Sequence, residues 1–148
     1  MPQSAFEYLS QHVLLSLATA SKDGRPHAAP IFYVSDNQKI YFSMADEAES
    51  TRNIEANPVA SVSVADVPQD WGRARGLQIT GSVSKASGQE QARAAELFKS
   101  QFSFLENVEQ YTFYRLDPEE IHYVHNDEDA DEDIEALGIH WLRETVTP

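Results

Sequence analysis

LATASKDGRPHAAPIFYVSDNQKIYFSMADEAESTRNIEANPVASVSV, running from Leu17 to Val64, decides the fold. Asp23-Gly24 inside SKDGRP is the signal of a tight hairpin turn, with Val13 to Ala20 and His27 to Val34 as its arms. Pro30 cannot donate to a ladder, so the second arm is expected to be an edge strand or to bulge, leaving backbone to face a ligand. Ser35 to Gln38 turns the chain into a third strand, Lys39 to Met44. Between Asp46 and Asn57 the composition becomes polar and helical, with Ile54 as its apolar anchor and Asn57-Pro58 as its stop. Val59 to Ala65 alternates, with Val62 and Val64 facing opposite to Ser61 and Ser63. Such an order of elements suits a small β-barrel that binds a phosphate-bearing cofactor.

Outside that stretch, Ser4 with Glu7 has capping-box spacing and would begin a short helix with Phe6 and Leu9 on one face. Val67 to Arg73 reads as a loop carrying Trp71, and Arg75 to Lys85 as a long strand with Leu77, Ile79, Gly81 and Val83 on one side. Ser87 with Glu90 repeats the capping-box spacing and opens a helix whose apolar stripe is Leu97, Phe98, Phe102 and Leu105. Tyr111 to Leu116 and Glu120 to His125 read as two strands parted by the turn former Asp117-Pro118, and Gly138 to Arg143 as a last strand. About seven short strands with helices at the margins favour a closed barrel over an open sheet, since closure removes exposed edges. The fold class expected is mainly β, a β-barrel with peripheral helices, in one domain across residues 1–148.

Composition removes whole classes of function. The chain has no cysteine, which excludes disulfides, thiolate catalysis, thiolate-ligated zinc and iron–sulfur clusters, so redox chemistry would need a borrowed cofactor. A formal net charge of −13 argues against nucleic acid and anionic membranes as partners. The apolar runs are strand-sized, and no basic leader precedes one, so a cytoplasmic protein is expected. Much of the acidic excess lies between Asp127 and Glu135, a run read as a solvated loop because it lacks the central Gly and terminal Glu of a calcium loop.

Ser50, Thr51, Arg52 and Asn53 at a helix start offer hydroxyls, a guanidinium and backbone amides, equipment for a phosphate monoester, although an ordinary surface cap has the same composition. Gly76 and Gly81 weaken a strand unless a bulge or a close ligand needs the space, and Arg75 and Gln78 beside them could contact a ring or phosphate. Among the histidines His12, His27, His122, His125 and His140, the pair His122 and His125 would point to opposite faces of a strand and chelate poorly, so no metal site is expected. No nucleophile elbow is present.

Taken together, LATASKDGRPHAAPIFYV, KIYFSM, STRNIEANPVASVSV, RGLQITG and IHWLRE, in this order from Leu17 to Glu144, resemble the pyridoxamine 5'-phosphate oxidase-like, FMN-binding split-barrel superfamily, in an uncharacterised bacterial branch of it. The resemblance implies a homodimer with FMN between subunits. It places His27, Ala28, Ala29 and Pro30 beside the isoalloxazine ring, Ser43 after the third strand, and Ser50, Thr51 and Arg52 at the phosphate. Gln78 and the partner subunit's Trp141 would approach the ring, with Arg75 as a further cation. The implied activity is an FMN-dependent oxidoreductase passing electrons from a reduced nicotinamide, NAD(P)H, to a small-molecule acceptor. The alternatives are a flavin-free dimer acting as a binding module, and a haem-handling relative using His122 or His125.

This chain also departs from the resemblance. Ala29 and Val34 stand where the oxidase has Arg and Lys, and Ser50 stands where the family often has Lys. Each lost charge-assisted bond is worth about 1.5–3 kcal/mol. Weaker FMN binding is therefore expected, and pyridoxamine-phosphate oxidase activity is not.

Overall fold

The computed structural model describes residues 3–66, 75–125 and 142–146. Its elements in chain order are α1 (Gln3–Gln11), β1 (Leu14–Ala20), β2 (Pro26–Asp36), β3 (Lys39–Ser43), α2 (Glu49–Ala56), β4 (Val59–Ala65), β5 (Arg75–Lys85), α3 (Gly88–Gln101), β6 (Phe113–His125) and β7 (Leu142–Val146). Every strand pairs antiparallel in the order β3-β2-β1-β4-β5-β6-β7. A further β3–β6 pairing closes six of the strands into a barrel. β6 is shared along its length: Phe113 to Leu116 pairs with β3, and Ile121 to His125 pairs with β7.

Strand alternation builds the interior. Leu15 and Leu17 of β1, Val62 and Val64 of β4, and Leu77, Ile79 and Val83 of β5 all point inward, while Ser16, Ser61 and Ser63 point away. Tyr33 and Phe42, both fully buried, complete this core together with Leu9 of α1. The Tyr33 hydroxyl donates to Leu9 O at 2.7 Å, which fixes α1 across one end of the barrel. Burial and the neighbouring Tyr8 push that phenol well above its usual pKa range.

A second core lies outside the barrel, where Phe98 and Phe102 of α3 pack on Val34, Tyr41 and Phe113, with Leu97 and Leu105 beside them. Of the stripe expected for this helix only Leu97 and Phe98 lie within it; the helix ends at Gln101, Phe102 is its C-cap, Leu105 follows it, and its buried residues are Ala94 and Phe98. Its capping box does not form: Ser87 is the N-cap, but its side chain makes no capping bond. Glu90 accepts instead from Arg115 Nη1 at 2.6 Å and from the Tyr41 hydroxyl at 3.3 Å, while Arg115 Nε donates to Asp117 at 2.7 Å. Burial, with Glu90 nearby, pushes the Tyr41 hydroxyl up to about 12. Gln91 then ties α3 to the start of β6, donating to Tyr111 O and accepting from the Phe113 amide.

The Arg115 guanidinium holds the Glu90 carboxyl below the usual carboxylate range. A carboxyl depressed in the folded state stabilises above its unfolded pKa, and the contribution is lost as pH falls through the folded value. Glu90→Gln should therefore lower Tm by about 2–4 °C near neutrality, consistent with roughly 1 kcal/mol for a partly exposed pair. Thermal melts should show the gap from wild type closing as pH drops below about 4; a gap of constant size would contradict the linkage.

Two expectations require correction. Tyr111 to Leu116 and Glu120 to His125 are not separate strands, because β6 runs unbroken through Asp117-Pro118. The register shifts there, Thr80 pairing with Glu120 and Gly81 with Pro118, so Glu119 is an inserted residue and the turn former marks a bulge. The last strand is Leu142–Val146, and the Gly138 to Trp141 part of the expected span lies outside the described residues. So do the Trp71 loop and the Asp127 to Glu135 run.

Candidate cofactor site

β2 pairs with β1 from Pro26 to Phe32, but with β3 only from Tyr33 to Asp36. Along Pro26 to Phe32 its other side carries no strand among the described residues. The Tyr33 amide donates to Val13 O at 2.9 Å, so alternation turns the Pro30 nitrogen the other way, to the open side. The edge expected from Pro30 is present without a bulge in β2, and the imino acid sits where no donor is required.

Alternation also divides the four residues assigned to a ring. Ala28 and Pro30 share the outer face with exposed Phe32, whereas His27 and Ala29 share the face of Ile31 and Tyr33. Of the four, only Ala28 and Pro30 turn their backbone groups to the open edge, while those of His27 and Ala29 face β1. Ser43 shares the β3 face of Tyr41, the outer one. The outer face is smooth and uncharged across β2, β1 and β4: Ala28, Pro30 and Phe32, then Leu14, Ser16 and Ala18, then Ser61 and Ser63. Ser61 is hydrogen-bonded to Thr80 of β5 at 2.7 Å.

Helix α2 stands beside the start of β2, with Glu49 Oε2 3.6 Å from His27 Nδ1. Of the three residues assigned to a phosphate, two turn inward. Ser50 is buried, and Thr51 is buried with its hydroxyl donating to Ala45 O at 2.7 Å. Asn53 likewise points in, donating to Thr19 Oγ1 at 3.1 Å and pinning α2 to β1. Arg52 is exposed, and its Nη1 donates to Glu47 O at 2.8 Å.

The β5 residues lie elsewhere. Gln78 is exposed on the outer face, but Pro30 pairs with Ser16, Ser16 with Ser63 and Ser63 with Gln78, so about 14 Å of sheet separates Gln78 from Pro30. Arg75 is at the opposite end of the barrel from α2. Its carbonyl accepts from Tyr8 of α1, whereas the level of Thr19 is reached on β5 only at Gly81, about 20 Å along the strand. Arg52 and Arg75 therefore do not converge on one anion within a chain. Trp141 lies outside the described residues. Glu49, which faces His27, and Phe32 were not singled out from sequence; the parity of Ala28, Pro30 and Phe32 was the signal for the latter.

Residues 1–125 match the pyridoxamine 5'-phosphate oxidase family. The chain belongs to that family. Solved structures share its split-barrel fold. HutZ, the haem storage protein of Vibrio cholerae, superposes with a TM-score of 0.69 at 19% identity, covering 80% of this chain and 89% of that one. A haem-binding protein of Mycobacterium smegmatis gives 0.72 at 17% identity, covering 99% of this chain and 59% of the other. A FAD-binding protein of Mesorhizobium loti gives 0.66 at 17% identity, covering 82% and 91%. At these identities the likeness shows the fold that the pyridoxamine 5'-phosphate oxidase family shares. No curated protein matches the chain by sequence. No described helix is long and apolar enough to cross a membrane, and among the described residues no three His, Cys, Asp or Glu side chains are grouped so that they could hold a metal ion.

Proposed function

We propose that the chain is a cytoplasmic, single-domain flavoprotein that forms homodimers, binds FMN non-covalently and passes electrons from a reduced nicotinamide to a small acceptor. The observation that carries this reading is the open Pro26 to Phe32 edge of β2, bordered by an uncharged outer face on a chain of net charge −13. By alternation the open side carries the Ala28 amide and the carbonyls of Ala28 and Pro30, one donor flanked by acceptors, and a planar ring rich in donors and acceptors is suited to it. The homodimer reading is supported by distance. Pro30 and Gln78 are too far apart to touch one ring within a chain, but a two-fold axis through the uncharged face would set one subunit's β2 edge against its partner's β5. Flavin, when bound, supplies the redox chemistry. Protein groups hold and orient it: the backbone of Ala28 and Pro30 along one ring edge, with Gln78 and Trp141 contributed across the interface.

Titration of the purified protein with FMN, followed by flavin fluorescence and by thermal shift, tests the reading. Saturable binding near one flavin per chain, followed by oxidation of NADH or NADPH, is the expected result. Absence of both flavin absorbance and thermal shift would leave the flavin-free dimer as the better description.

The fold likeness to haem proteins favours haem handling as the second reading. Of its two candidate ligands, His122 and His125, His122 is nearly buried and has Nε2 hydrogen-bonded to the Glu120 carboxylate. Haem ligation through Nε2 would require that bond to break, whereas ligation through Nδ1 would keep it as a support for the ring. A Soret shift on adding hemin, lost in His122→Ala, would establish this reading in place of the flavin one.

A further inference from the structure

We infer that the site recognises the flavin ring and not the 5'-phosphate, so that riboflavin and FMN bind almost equally. This rests on the flavin reading above and concerns the start of α2, where the family resemblance puts the phosphate. A dianion there needs donors and positive charge. The structure has already turned most of the side-chain donors inward. The Thr51 hydroxyl serves Ala45 O, the Asn53 amide serves Thr19, and Ser50 is buried. Ala48 at the N-cap has no side chain that could donate to an anion, which leaves the backbone amides of the first turn as the remaining donors.

The charge around the helix start is of the wrong sign. Asp46, Glu47 and Glu49 are all exposed just before or within the first turn, where carboxylates complement the positive end of the helix dipole. A phosphate would displace or oppose them. The field of Asp46 reaches Tyr114, whose hydroxyl is pushed above its usual range by burial first, and then by Asp46 and Glu55. Against this stands Arg52, with one guanidinium nitrogen on Glu47 O. Lys22 and Arg25 lie in the β1–β2 turn, with Asp23 between them. Ala29 on β2 contributes no charge at all.

The test compares FMN and riboflavin on the intact protein by fluorescence titration. Dissociation constants within about threefold of one another, with FMN affinity nearly independent of salt, are the expected result. FMN binding more than about thirtyfold tighter, with the preference abolished by Arg52→Ala, would overturn the inference and leave the flavin reading intact. Failure to bind either flavin would overturn both. Glu49→Lys supplies the missing cation and should tighten FMN by about fivefold or more without changing riboflavin. If Glu49→Lys tightens riboflavin as much as FMN, the gain does not come from the phosphate and the inference is wrong.

Discussion

Gly81→Ala should destabilise the protein by about 3 kcal/mol, and Gly81→Val should prevent the barrel from closing at all. A Cβ on Gly81 would land on the Asp117 carbonyl oxygen, within 2.9 Å of that carbonyl carbon and 3.1 Å of Pro118 Cα. These are backbone atoms of the neighbouring strand and cannot rotate aside. They approach so closely because β6 gains its extra residue, Glu119, at this pair, and the bulge presses Asp117 and Pro118 toward β5. Backbone on both sides leaves only separation of β5 from β6 as relief, and that opens the seam through which β6 reaches β3. Gly76→Ala is the internal comparison. Its Cβ would meet Val64 O at 3.0 Å, a tight contact near the strand end, and the loss should be about 1 kcal/mol or less. Urea melts of the two variants decide the matter; a Gly81→Ala protein within about 0.5 kcal/mol of wild type would show that the bulge is not a fixed part of the barrel.

This glycine also marks how far the sequence could be read. Two glycines in RGLQITG posed a choice between a bulge and a close ligand, and at Gly81 the bulge has the space. What resolves the choice is the strand opposite, at Asp117 and Pro118, which no local pattern around Gly81 reveals. Periodicity and turn chemistry sufficed for β1, β4 and β5, because alternating residues such as Val62 and Ser63 encode a buried and an exposed face locally. They failed at Asp117-Pro118, since a turn former is also compatible with a bulged strand once a partner fixes the register. At the candidate site the residue types were legible and their directions were not. Thr51 reads equally well as a phosphate donor and as an internal hydrogen-bond donor, and only the position of Ala45 O distinguishes them. Arg75 and Arg52 look alike in sequence, yet the antiparallel path of β5 carries Arg75 to the α1 end of the barrel.

The separation of Pro30 from Gln78 leads to the second large effect, which concerns sites shared between subunits. Ala28→Trp fills the space before the open edge of β2, and Gln78→Tyr crowds the face that would meet the ring from the partner. Each variant alone should lose nearly all flavin binding while remaining dimeric by size-exclusion chromatography. A two-fold dimer with sites spanning the interface makes the defects complementary. In a mixed dimer, one site collects both substitutions and the other collects neither. Unfolding and refolding equal amounts of the two variants together yields about half mixed dimers, so about a quarter of all sites should bind flavin with wild-type affinity. Sites contained within one chain give no recovery in the same mixture, since every chain then carries its own defect. The recovered fraction thus separates a shared site from a private one without locating the flavin directly. It does so even if Arg52 contributes nothing to holding it.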